Sequence, residues 1–138
     1  KKDIIVTAGG KNIAPQNLEN QLKTHRLISQ VVVHGDQRKF LSALITLDPE
    51  PLLKWAEDQG LSGGYDELIK SAEVRAEIQK ALDELNSKLP SYETIKKFAI
   101  LDKEFSQESG ELTPTIKIKR RVVEKRYRDV LDSFYSEA

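Results

Sequence analysis

Two apolar runs separated by a single turn constrain this chain more than any other feature. LISQVVVHGD (27–36) and FLSALITLD (40–48) are rich in aliphatic and β-branched residues, and GDQRK (35–39) lies between them. This pattern predicts a β-hairpin. A sheet of that kind buries a face against another layer, so the rest of the chain must supply the cover. TIKKFAIL (94–101) reads as a third core strand. DIIVT (3–7) is a further strand-like run, broken by AGG (8–10), and forms a short hairpin at the N-terminal end. Paired glycines there permit positive φ or a close backbone approach.

The cover comes from segments with helical period. Pro15 suits a first helical turn, Leu18 and Leu22 share a face, and the helix is expected to end near Thr24. Asp48 reads as an N-cap with Pro49 at the first helical position, and that helix carries Leu52, Leu53 and Ala56 and stops near Gly60. Trp55 packs there as a core or rim aromatic. From Ser71 to Leu89 the stripe Val74, Ile78, Leu82, Leu85 and Leu89 is clear, and Pro90 ends it. Residues 61–68 read as a loop, and 102–112 as a polar, turn-rich connection. A last helix is expected from about Lys119 to the end, with Val123, Tyr127, Leu131 and Phe134 on one face. The predicted fold is a single α+β domain over residues 1–138: a small, mostly antiparallel sheet of about three strands plus a short N-terminal hairpin, covered by helices.

Composition narrows the chemistry. The chain has 138 residues, 22 acidic and 22 basic, so global charge gives no reason to expect a polyanion partner. Without cysteine there are no disulfides, thiolate metal sites or cysteine nucleophile, which fits a reducing compartment. His25 and His34 are read as surface or half-buried residues without acidic partners, and no metal site is expected. No apolar run approaches the ~18 residues of a membrane span. The opening KKDIIV is not a signal peptide and is read as a cut through a larger protein.

One cluster stands out. Lys117, Lys119, Arg120, Arg121, Lys125, Arg126 and Arg128 fall within twelve positions. They fit a solvated helix face, with Arg120 and Arg121 as surface charges or docking contacts. They fit nucleic-acid binding less well, because no aromatics interleave with the cations and the whole domain is not basic. A third reading rests on the preceding loop. Gly110 gives flexibility, and Pro114 pushes Thr113 out of helical geometry. The chain then presents Lys117, a compact charge on a long stem, beside a helix start.

KKDIIVTAGGKNIAPQNLE (1–19) resembles the hinge and glycine loop of the adenylate-forming enzyme superfamily, and GELTPTIKIKRR (110–121) resembles its catalytic-lysine loop. The superfamily holds acyl-CoA synthetases, peptide-synthetase adenylation domains and luciferases. The pair of motifs, in order at the two ends of one small domain, looks most like the bacterial long-chain fatty acid–CoA ligases. That resemblance implies a C-terminal lid domain whose large N-terminal adenylation domain lies outside this chain. The whole enzyme would activate a fatty acid with ATP and Mg2+ to an acyl-adenylate, then transfer the acyl group to coenzyme A. The lid would swing about a hinge, with one face serving each step. It further implies a cytoplasmic enzyme, with peripheral membrane association allowed and no nucleic-acid partner.

By the same resemblance Lys117 is the catalytic lysine of adenylation and Lys2 the hinge residue. Gly9, Gly10 and Lys11 line the pantetheine channel, and Asn12 is a candidate nucleotide contact. The sequence departs from the pattern in four ways: the arginine and glycine expected before the hinge are absent, the glycine loop is one residue longer than in many relatives, Ile116 replaces a small residue before the lysine, and Asn12 stands where relatives carry arginine. Two other readings are an adenylate-forming enzyme acting on a different acid, and a non-enzymatic interaction module docking through the basic helix. The isolated fragment is expected to be inactive.

Overall fold

The computed structural model describes residues 4–102, 104–108, 110–114 and 118–135. Short strands β1 (Ile5–Val6) and β2 (Asn12–Ile13) pair antiparallel as an N-terminal hairpin. Helix α1 (Pro15–Leu22) follows, then β3 (Ile28–His34) and β4 (Leu41–Leu47). Three helices come next: α2 (Pro49–Asp58), α3 (Tyr65–Leu68) and α4 (Ala72–Asn86). Strand β5 (Ile95–Ile100) completes a three-stranded sheet of order β3-β4-β5, and α5 (Arg120–Arg126) and α6 (Arg128–Ser133) end the described fold.

The α+β class and the N-terminal hairpin agree with the sequence reading. The sheet is mixed: β3 and β4 run antiparallel, but β4 and β5 run parallel. The connection from β4 to β5 contains three helices, and a crossover of a dozen residues or more is what parallel neighbours require. Residues 61–68 are not all loop, because Tyr65 opens the one-turn α3. Its hydroxyl sits 3.3 Å from the backbone of Leu47 and from the carbonyl of Leu101, tying the ends of two strands together. The last helix is broken at Tyr127 into α5 and α6.

Helix starts follow local chemistry. Pro15 and Pro49 occupy the first turns of α1 and α2, where a missing N–H costs nothing. Asp48 stands at the N-cap of α2 but makes no side-chain cap bond. Ser71 caps α4, its Oγ accepting from Val74 N at 3.2 Å. Asn86 acts as a substitute strand edge: its amide accepts from Ile95 N and donates to Ile95 O, both at 2.9 Å.

The sheet is covered on both faces. Val31, Val33, Ala43, Ile45 and Phe98 join Leu18, Leu22, Leu52, Ile78 and Leu82 in the larger core. Val32 and Leu44 point the other way, into a smaller core with Phe105, Leu112, Val123 and Leu131. On this second face the register Gln30↔Thr46, Val32↔Leu44, His34↔Ser42 sets polar pairs on either side of one apolar pair. Those polar side chains serve the C-terminal segment. Gln30 Oε1 accepts from Phe105 N at 2.8 Å, His34 Nδ1 lies 2.6 Å from Glu124, and Ser42 Oγ lies 3.0 Å from the Tyr135 hydroxyl. Both histidines therefore have acidic partners, contrary to expectation: His25 Nε2 is 3.1 Å from Glu77. Both acids come from distant helices, so no local sequence signal reveals them. No helix among the described residues is long and apolar enough to cross a membrane.

Candidate functional site

The glycine loop is the turn of the β1–β2 hairpin. Gly10 adopts φ +82, a left-handed conformation that L side chains rarely take. No heavy atom lies within 4 Å of where a Gly10 Cβ would sit, so the surface at this turn is open. Gly9 lies beside it with only Thr7 Oγ1 near, at 3.9 Å. Thr7 organises the turn. Its carbonyl accepts from Gly10 N at 2.9 Å, its N donates to Lys11 O at 3.0 Å, and its Oγ1 accepts from Lys11 N at 3.2 Å. The Lys11 ammonium sits 5.4 Å from the centre of the exposed Tyr92 ring. Asn12, exposed, pairs with Val6 across the hairpin.

This turn is fastened to the turn joining β3 and β4. Ala8 N donates to Arg38 O at 2.9 Å, Gln37 N donates to Val6 O at 2.7 Å, and Val6 N donates to Asp36 Oδ1 at 3.0 Å. Gln37 takes φ 59 to make its bond, an uncommon conformation for a non-glycine residue. The β1–β2 hairpin, only two residues per strand, thus borrows rigidity from the main sheet. Ile4 and Val6 are exposed on it, at 55% and 40%.

The second motif is anchored at both ends. Gly110 has φ +83, and Glu111 N and Leu112 N both donate to Ser106 O, at 3.1 and 3.0 Å. Leu112 and Ile118 pair as a single antiparallel bridge, and Lys119 N donates to Glu111 O at 2.7 Å. Lys119 is the N-cap of α5. Residues 112 and 118 are therefore two posts held to each other, on either side of the stretch that carries Lys117. Lys117 lies outside the described residues, as does Lys2. Gly9, Gly10, Lys11 and Asn12 share one hairpin.

Arg120 corrects the sequence reading. It is not a surface charge: its side chain is 15% exposed and forms a two-pronged ion pair with Glu19 of α1. Arg121 is exposed, as expected of a surface cation. Glu111 is buried, at 3%, with Arg126 3.7 Å from its carboxylate. No group of three His, Asp or Glu able to hold a metal occurs among the described residues.

Comparison with known proteins gives this arrangement a context. Over 139 residues the chain is 44% identical to a long-chain-fatty-acid–CoA ligase of Mycobacterium tuberculosis, covering 99% of this chain and 23% of that protein. It is 34% identical to human long-chain-fatty-acid–CoA ligase 1, covering 99% of this chain and 20% of that protein. The chain thus spans about a fifth of the length of the curated relatives it matches. Among solved structures it superimposes, with TM-score 0.76 and 27% identity, on the A-PCP didomain of carboxylic acid reductase from Segniliparus rugosus in complex with AMP. That match covers 98% of this chain and 17% of the other. The family described as AMP-binding enzyme C-terminal domain matches residues 2–138, and this chain belongs to it.

Proposed function

We propose that residues 1–138 form the mobile C-terminal domain of a long-chain fatty acid–CoA ligase that works with its own N-terminal adenylation domain. The observation that carries this reading is the 44% identity, across 99% of the chain, to a protein named as such a ligase. The whole enzyme converts a fatty acid and ATP to acyl-adenylate and pyrophosphate, and coenzyme A then takes the acyl group as a thioester. ATP and Mg2+ are held mainly by the N-terminal domain. The protein works in the cytoplasm, without nucleic acid, and its function allows peripheral association with a membrane.

Lys117 supports adenylation. Attack of a carboxylate on an α-phosphate brings like charges together, and a preorganised ammonium stabilises the charge that spreads in the transition state. The anchored posts at Leu112 and Ile118 support this role, because Ile118 fixes the chain one residue from the lysine. In the second orientation, reached by rotation about Lys2, the open turn at Gly9 and Gly10 lines the pantetheine channel. A bare backbone leaves room for a thin thiol arm, and Lys11 and Asn12 contact coenzyme A or nucleotide at its mouth. The exposed Ile4 and Val6 support a partner surface beside this turn. Alone, the domain lacks the nucleotide and acyl pockets and is inactive.

Half-reactions in the full-length enzyme test the division of labour. Lys117→Ala is expected to slow acyl-adenylate formation by about 10²–10³ and to spare thioester formation from supplied acyl-adenylate. Gly10→Leu is expected to do the reverse, and Lys2→Pro to cripple one step by trapping one orientation. Equal losses in both steps for Lys117→Ala and Gly10→Leu overturn the two-face assignment.

A further inference from the structure

The strongest unassigned feature is the part-buried pair Glu19–Arg120, formed by residues 101 positions apart in sequence. Glu19 is 8% exposed on α1. Its Oε2 accepts from Arg120 Nη1 at 2.8 Å and from Val33 N at 2.8 Å, and its Oε1 accepts from Arg120 Nη2 at 3.2 Å. Arg120 Nη1 also donates to Val33 O at 2.8 Å. The pair therefore closes around one residue of β3, the outer strand of the sheet, and satisfies both its outward backbone groups. Bidentate guanidinium–carboxylate geometry fixes direction as well as distance.

Arg120 follows Lys117 by three residues. Between them, Ile118 is bridged to Leu112 and Lys119 N is bonded to Glu111 O. Three successive residues after the lysine are thus held: Ile118 also packs against the core that contains Val32 and Leu44, and Arg120 is tied by hydrogen bonds to β3 and α1.

We propose that Glu19 and Arg120 are positioning residues for the adenylation lysine: their ion pair locks the chain to β3 and α1 two residues beyond Ile118. This rests on the proposed role of Lys117. The pair touches no substrate and acts through the lysine. Its loss leaves the glycine turn intact, because that turn is fastened elsewhere, to residues 36–38.

The test uses the full-length enzyme and both half-reactions. Glu19→Gln keeps the shape and removes the charge; Arg120→Lys keeps the charge and removes the fork, and serves if Glu19→Gln does not fold. Each is expected to lower the adenylation kcat about tenfold or more, since misplacement by 1 Å can cost about 10²-fold. Thioester formation from supplied acyl-adenylate stays within about twofold, because the clamp lies on the loop side. In a Lys117→Ala background, Glu19→Gln is expected to cost adenylation nothing further. A purely structural ion pair would depress both half-reactions together and would still cost in that background; either result overturns the proposal. So does a folded variant with unchanged adenylation. If Lys117→Ala itself leaves adenylation intact, the role of the lysine falls. If that variant is selective and the Glu19 and Arg120 variants are not, only the clamp falls.

Discussion

The Tyr135 hydroxyl donates to Phe40 O at 2.7 Å, and its ring stacks on Phe40 at 4.5 Å. Burial pushes its ionisation above the ordinary tyrosine range, and the same holds for Tyr65 and Tyr127. The folded chain therefore keeps these protons more tightly than the unfolded chain. Their stability is fully present below the unfolded pKa of about 10 and is lost as pH rises through the folded value. Unfolding free energy should fall above pH ~10, and Tyr135→Phe should flatten part of that fall. Urea titrations at stepped alkaline pH check it; an unchanged slope in the variant contradicts it. At this scale the sequence offers candidates, because Gly9, Gly10 and Lys117 sit in strings that resemble known motifs. Glu19, Arg120, Glu77 and Glu124 were not, since an ion pair closed across tens of residues leaves no trace in either neighbourhood. The only hint for Glu19 was an acid directly following Leu18, beside the buried stripe of α1.

Among the elements, start signals were legible and their mechanisms less so. Ser71 and Asp48 look alike in sequence as caps, yet only Ser71 bonds its helix, with Oγ also donating to Leu68 O at 2.7 Å. Ser71→Ala should cost about 1 kcal/mol and Asp48→Ala close to nothing through capping. Denaturant midpoints compare the two directly, and equal losses would contradict the distinction. The strands were found because β-branched runs are unambiguous. Tyr65 hid α3, because a four-residue helix after two glycines carries no period to detect. The break at Tyr127 was equally invisible: the residue fits the apolar face of one continuous helix, and its C-cap geometry appears only in three dimensions.

For the whole molecule, class and cover followed from pattern, while the direction of β5 did not. A run such as IKKFAI states that a strand exists; only the three-helix connection implies that it returns parallel to β4. The layers on the two faces of the sheet are unequal, one built on α1, α2 and α4, the other on loop and two short helices. The second layer should open first. Native-state hydrogen exchange is expected to show amides of α5 and α6 exchanging through a lower free energy than those of β3 and β4. Matching protection across both sets would mean a single cooperative unit.

The two sides of β3 and β4 differ in kind, oily toward α4 and studded with Gln30, His34, Ser42 and Thr46 toward the C-terminus. Sliding one strand by a single residue would exchange the two sides at once, burying hydroxyls in oil and stranding valines among polar groups. The hairpin therefore proofreads its own alignment: a mispaired version offers a matching face neither to α1, α2 and α4 nor to the C-terminal helices.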